Sequence, residues 1–103
     1  MEDEGGELKE PLRATDARQL IRSILGRGGE AAVHFTTHAL AAMAKDELGT
    51  VDCVNVLQAG VVEEAELTNG AWRHRVRTQR MAVVIEFRSA SAVVIVTAWR
   101  FKP

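Results

Sequence analysis

The chain has one cysteine, Cys53, no tyrosine and no long apolar run in its 103 residues. A single cysteine excludes an intramolecular disulfide and any cysteine-rich metal site, and it fits a reduced, cytoplasmic setting. No apolar stretch approaches the roughly 20 residues needed to cross a bilayer. The start, Met1-Glu2-Asp3-Glu4, is acidic, whereas a secretory signal begins with basic residues ahead of an apolar stretch. Neither secretion nor membrane insertion is expected. Several motifs are missing as well: a glycine-rich phosphate loop, a Gly-x-Ser-x-Gly nucleophile elbow and a paired-carboxylate motif. His34, His38 and His74 have neither a fourth ligand nor the spacing of a zinc site, so neither metal nor cofactor is expected.

What is present is ordinary in amount and uneven in distribution. An apolar share of 47% and a charged share of 26% are those of one globular domain with one core. The net charge of −1 conceals a split. Residues 1–70 carry 6 basic and 13 acidic side chains, a balance of −7. Residues 71–103 carry 7 basic side chains and a single acid, Glu86, a balance of +6. Such asymmetry suits either a polyanion-binding face or an internal match of charge.

Residues 1–14 hold Gly5, Gly6 and Pro11 among charges without a period, and read as a flexible acidic tail before a domain at 15–103. Thr15 or Asp16 can cap a first helix with Ala17, Leu20, Ile21, Ile24 and Leu25 inward, closed by the glycines at 26–29. Ala31–Phe35 is a short strand. Thr36 or Thr37 caps a second helix with Ala39, Leu40, Met43 and Leu48 inside, ending at Gly49. Thr50 or Asp52 opens a third through Val54, Val56 and Leu57 to Gly60. The period then changes to two, predicting strands at 61–68, 71–78, 81–88 and 92–101. The expected fold is α+β: α-β-α-α, then a four-stranded antiparallel meander with the helices on one face.

Asn69-Gly70 is a strong hairpin signal and sets a register. It predicts Leu67 opposite Trp72, Glu66 opposite Arg73, Glu64 opposite Arg75 and Glu63 opposite Val76. Continued through turns at 79–80 and 89–91, it sets Val83 against Thr97 and Met81 against Trp99 on the helix side. The outer face then carries Arg73, Arg75, Arg77, Glu86, Arg100 and Lys102 around Val94, Val96 and Ala98. Arg73 has acidic neighbours, and cross-strand charge pairing alone accounts for such a residue. Arg77, Arg100 and Lys102 have none in this register. Basic residues around an apolar floor suit RNA, whose phosphates take the guanidinium fork while a base lies on the floor.

His38 follows the expected cap closely. It is either a group able to meet a phosphate and act as general base there, or an exposed first-turn histidine without a task. His74 points toward the apolar face as a hydrogen-bonded core histidine, and Cys53 reads as a small core residue.

The segments Phe35-Thr36-Thr37-His38-Ala39, Lys45-Asp46-Glu47-Leu48-Gly49, Asp52-Cys53-Val54-Asn55-Val56-Leu57, Trp72-Arg73-His74-Arg75-Val76 and Val96-Thr97-Ala98-Trp99-Arg100 together resemble MqsR-type toxins and the bacterial domains related to them. The resemblance covers about residues 17–102. It implies a RelE-like fold and a toxin component that cleaves mRNA as a metal-independent endoribonuclease. It also implies an antitoxin partner with zinc-binding and helix-turn-helix parts. His38, Arg75 and Thr97 match positions seen in that group and become the expected catalytic residues. Arg73, Arg77, Arg100 and Lys102 become the expected RNA contacts. A tyrosine expected between the two arginines is His74 here. A non-catalytic module of the same fold, binding RNA or protein, is the alternative.

Overall fold

The computed structural model of the protein describes residues 8–102. The first half of the expected tail therefore lies outside the described residues. In the other half, Leu8 and Leu12 pack against the core.

Three helices follow: α1 at Ala14–Gly28, α2 at Thr37–Lys45 and α3 at Thr50–Ala59. The strands are β1 Val33–Phe35, β2 Val61–Val62, β3 Glu66–Thr68, β4 Ala71–Arg77, β5 Met81–Ser89 and β6 Ala92–Arg100. Among the described residues, no helix is long and apolar enough to cross a membrane.

The first helix buries Ala17, Ile21 and Ile24, which recur at helical spacing. It starts just ahead of the expected caps. Arg13 stands at the N-cap without a side-chain bond, and Asp16 falls in the first turn, where a carboxylate meets the positive end of the helix. The cap comes from elsewhere in the chain: the Ala14 N–H donates to Glu64 Oε1 at 3.1 Å. In α2 the expected cap is found. Thr36 Oγ1 accepts from the Ala39 N–H at 2.9 Å. Ala39 and Met43 face inward, four residues apart, and Leu40, one residue round the helix, is 50% exposed rather than inside. The helix stops at Lys45, short of Gly49. Glu47 takes a left-handed φ of 57°, and the Leu48 N–H folds back to the Met43 carbonyl at 2.8 Å as Leu48 is buried. The Gly49 N–H then donates to Asp52 Oδ2 at 2.8 Å and opens α3.

The sheet departs from a four-stranded meander. Its order is β1-β6-β5-β4-β2, with β3 also on β4, and β1 lies parallel to β6. A mixed sheet results because the chain crosses over through α2 and α3 before the antiparallel strands begin. The expected strand at 61–68 is split into β2 and β3. The core joins all three helices to Val76, Val83, Ile85, Phe87, Val93 and Ile95 on one face of the sheet. The other face is open.

One close approach holds the α3–β2 junction. A Cβ on Gly60 would lie 2.7 Å from the Val56 carbonyl oxygen and 2.8 Å from that of Arg77. Only glycine admits both carbonyls.

Candidate functional site

The register around Asn69-Gly70 is as expected near the turn, with Glu66 opposite Arg73 and Leu67 opposite Trp72. Asn69 and Gly70 take φ values of 52° and 82°, the left-handed pair such a turn requires. Beyond Glu66 the register slips by one residue. Val62, not Glu63, pairs with Val76, and Val61 pairs with Arg77. This irregularity between β2 and β3 turns Glu63 onto the arginine face. The Glu63 N–H donates to the Arg75 carbonyl at 2.8 Å. Buried His74 secures the place from the core side, its Nδ1–H donating to the Glu63 carbonyl at 2.8 Å. His74 is thus the hydrogen-bonded core histidine expected, edge-on to Phe87 at 5.9 Å.

A second slip lies in β6. Ile85 pairs with Ile95 as expected, but Val84 pairs with Thr97 and Ala82 with Trp99. Val96 is the extra residue of a β-bulge. Thr36 explains its position: its N–H donates to the Ile95 carbonyl at 3.1 Å, and its Oγ1 donates to the Val96 carbonyl at 3.1 Å. The start of α2 thus takes two carbonyls of β6 where β1 ends. Every side chain beyond the bulge changes face. Thr97 and Trp99 move from the helix side to the arginine side, and Ala98 becomes fully buried in the core.

Two rows result across the open face. Arg75, Val84 and Thr97 form one, and Arg77, Ala82 and Trp99 the other. Ala82 is fully buried although it lies outside the helix-side core, so neighbouring side chains close over it. Trp99 is half-buried and meets Phe101 edge-on at 6.4 Å. A groove of about 280 Å³ runs beside them, where the acids Glu63, Glu64 and Glu66 stand with Arg73, Arg75, Thr97 and Trp99.

The charges on this face are more closely matched than expected. Arg73 Nε donates to Glu86 Oε2 at 2.7 Å, while Glu66, directly opposite it, makes no bond to it. Glu64, the expected partner of Arg75, is turned to the start of α1. Glu63 takes its place. Arg75 donates to Glu63 Oε1 from Nε at 3.0 Å and from Nη2 at 2.9 Å, and Arg77 Nε donates to Oε2 at 2.7 Å. Arg77 is therefore not without an acidic partner. The bond from Arg75 draws the Glu63 carboxyl below its usual range, partial burial opposes this, and the bond from Arg77 adds to the lowering.

The remaining expected site residues are dispersed. Arg100 is paired with Met81 on the helix side, and its backbone N–H donates to Asp46 Oδ2 at 2.7 Å. Its guanidinium donates to the carbonyls of Asp46 and Glu47, both at 3.2 Å, so it caps the end of α2. Lys102 is exposed beside Asp46 and Phe101. His38 is exposed on the first turn of α2 and does not line the groove. Arg73, Arg75, Arg77 and Thr97 are brought together; His38, Arg100 and Lys102 are not.

No protein-family model, curated protein or solved structure matches this chain.

Glu63, Trp99 and Arg18 are the residues that sequence reasoning misses. The first two are hidden by the slips in register. Arg18 of α1 donates from Nη1 to the Leu57 carbonyl at 2.6 Å and from Nη2 to the Gly60 carbonyl, closing the end of α3. Its helical position gives no sign of this, because the partners lie about 40 residues away.

Proposed function

We propose that the open sheet face binds single-stranded RNA, with phosphates at Arg75 and Arg77 and a base against Trp99. The observation that carries this reading is the β6 bulge, which puts Trp99 in the same cross-strand row as Arg77. A partly exposed aromatic two strands from a guanidinium matches the spacing problem that single-stranded RNA poses. Its phosphate seeks the fork and its unstacked base seeks a π-face. Arg80 is exposed at the β4–β5 turn that follows Arg77. Glu66 lies opposite Arg73, toward the Asn-Gly turn, and Glu64 is turned to the start of α1. RNA is therefore expected to lie toward Arg77.

Fluorescence anisotropy with a labelled single-stranded RNA tests this. Trp99→Ala removes one stacked base, for which about 1–3 kcal/mol is expected. Arg77→Ala weakens binding and lowers the salt slope by about one. Binding that is absent, or that ignores both substitutions, sinks the reading.

A second reading is favoured by one observation, Arg75 and Thr97 in a single row. In it the domain is a RelE-like, MqsR-related cytoplasmic toxin that cleaves mRNA without metal and pairs with an antitoxin. Arg75 would stabilise charge on the phosphoryl oxygens, and His38 would have to approach from the rim to transfer a proton. Mapping RNA ends after incubation with the protein decides it. Cyclic phosphate ends that disappear in Arg75→Ala and His38→Ala support cleavage; intact RNA at protein excess excludes it.

A further inference from the structure

The arginines of the open face are not held alike. Arg73 is bound to Glu86 with its side chain 25% exposed, whereas Arg75 and Arg77 are 49% and 47% exposed. Glu63 grips this second pair by their inner edges. One carboxylate oxygen takes Nε and Nη2 of Arg75, and the other takes Nε of Arg77. The Nη1 of Arg75 and both terminal nitrogens of Arg77 make no hydrogen bond to any described residue. Residues 75 and 77 stand two apart on one strand, so their side chains leave the sheet in parallel. Two guanidiniums at that spacing repel each other, and the shared carboxylate offsets this while fixing their rotamers. The outcome is two forks facing solvent, already ordered.

We propose that Arg75 and Arg77, braced by Glu63, form a paired-guanidinium site for one phosphodiester, with Glu63 a positioning residue that acts through the two arginines. The inference rests on the RNA-binding reading and names the part of the face that holds phosphate. The two non-bridging oxygens of a phosphodiester accept from separate guanidiniums on the outer side, as the two oxygens of Glu63 do on the inner side. His74 belongs to the same device, since its bond to the Glu63 carbonyl holds the backbone that aims the carboxylate. Bracing matters because an unrestrained arginine loses much rotamer freedom when it binds an anion.

The proposal makes a prediction opposite in sign to simple electrostatics. Removing a carboxylate raises the positive charge of the face and would by itself tighten a polyanion. Loss of the brace instead weakens it. Anisotropy with single-stranded RNA at fixed salt compares the wild-type chain with Glu63→Gln, Glu63→Asp and Glu66→Gln. Glu66 is exposed on the same face and makes no bond to an arginine, so its substitution removes the same charge without removing a brace. Glu63→Gln is expected to bind about tenfold more weakly than wild type. Glu63→Asp, too short to span both arginines, should fall between them, and Glu66→Gln should equal wild type or exceed it. Matched far-ultraviolet circular dichroism and urea midpoints show that the variants are folded.

If Glu63→Gln binds as tightly as Glu66→Gln while Trp99→Ala still weakens RNA, the brace is refuted and the RNA reading stands. If the wild type binds no RNA, that reading falls, and inorganic phosphate judges the site alone. The Arg75 and Arg77 Nε–H resonances should shift with phosphate in the wild type and not in Glu63→Gln. No shift in the wild type overturns the site.

Discussion

Replacing Arg18, a half-buried residue of α1, with alanine should destabilise the domain by about 2–3 kcal/mol. Its guanidinium donates to the carbonyls of Leu57 and Gly60, which end α3 and have no helical partner of their own. Hydrogen bonds made by a charged donor contribute about 1.5–3 kcal/mol each. The side chain is partly exposed, so water replaces some of what is lost, which places the total below the roughly 3–6 kcal/mol of two fully buried bonds. Burial, followed by the neighbouring charge of Arg22, lowers the pKa of Arg18, a sign that the guanidinium gives up some hydration to reach these carbonyls. For a domain of this size the loss corresponds to a fall in Tm of about 10–20 °C. Urea denaturation followed by circular dichroism measures it, and an unchanged m-value shows that the unfolded state is not altered. Arg18→Lys keeps the charge and the stem but reaches one carbonyl in place of two, so about half the loss should persist. A loss below about 0.5 kcal/mol in Arg18→Ala, or wild-type stability in Arg18→Lys, would refute the view that this fork joins α1 to α3.

Gly60→Ala should cost more than about 2 kcal/mol, because its Cβ meets two backbone carbonyls at 2.7 and 2.8 Å that cannot rotate away; a urea midpoint within error of wild type would contradict this. Cys53 is buried in α3, and burial, followed by the charge of Asp52, pushes its thiol up to about 11. The native protein should therefore resist a thiol reagent at about pH 8 and react at once in denaturant; fast labelling of the folded chain would disprove it. Glu63 has its folded pKa below its unfolded one, so its contribution to stability is complete above the usual carboxylate range and is lost as pH falls through the lowered value. The stability gap between wild type and Glu63→Gln should accordingly narrow in acid, and a gap independent of pH would count against the Glu63–Arg75–Arg77 cluster.

Much of the fold can be read from short-range signals. The cap at Thr36, the turn at Asn69-Gly70, the inward pairing of His74 with Ile85, and the α+β class all depend on residues close in sequence or linked by tight turns. Period and turn chemistry act locally, so the sequence alone determines them. It also determines that the arginines of β4 share a face, since alternation requires it.

Tertiary structure decided which other residues join them. Period-two reading assumes an unbroken ladder, and one unpaired residue reverses every side chain beyond it. The slips at Glu63 and Val96 originate in contacts from elsewhere in the chain: His74 on the Glu63 carbonyl, and Thr36 on the carbonyls of Ile95 and Val96. Those partners lie 11 to 60 residues away along the chain and on other elements, and the period of a single strand carries no sign of them. Composition and pattern made an arginine face certain. Only the folded chain could give it Glu63, Thr97 and Trp99, and take Arg100 from it.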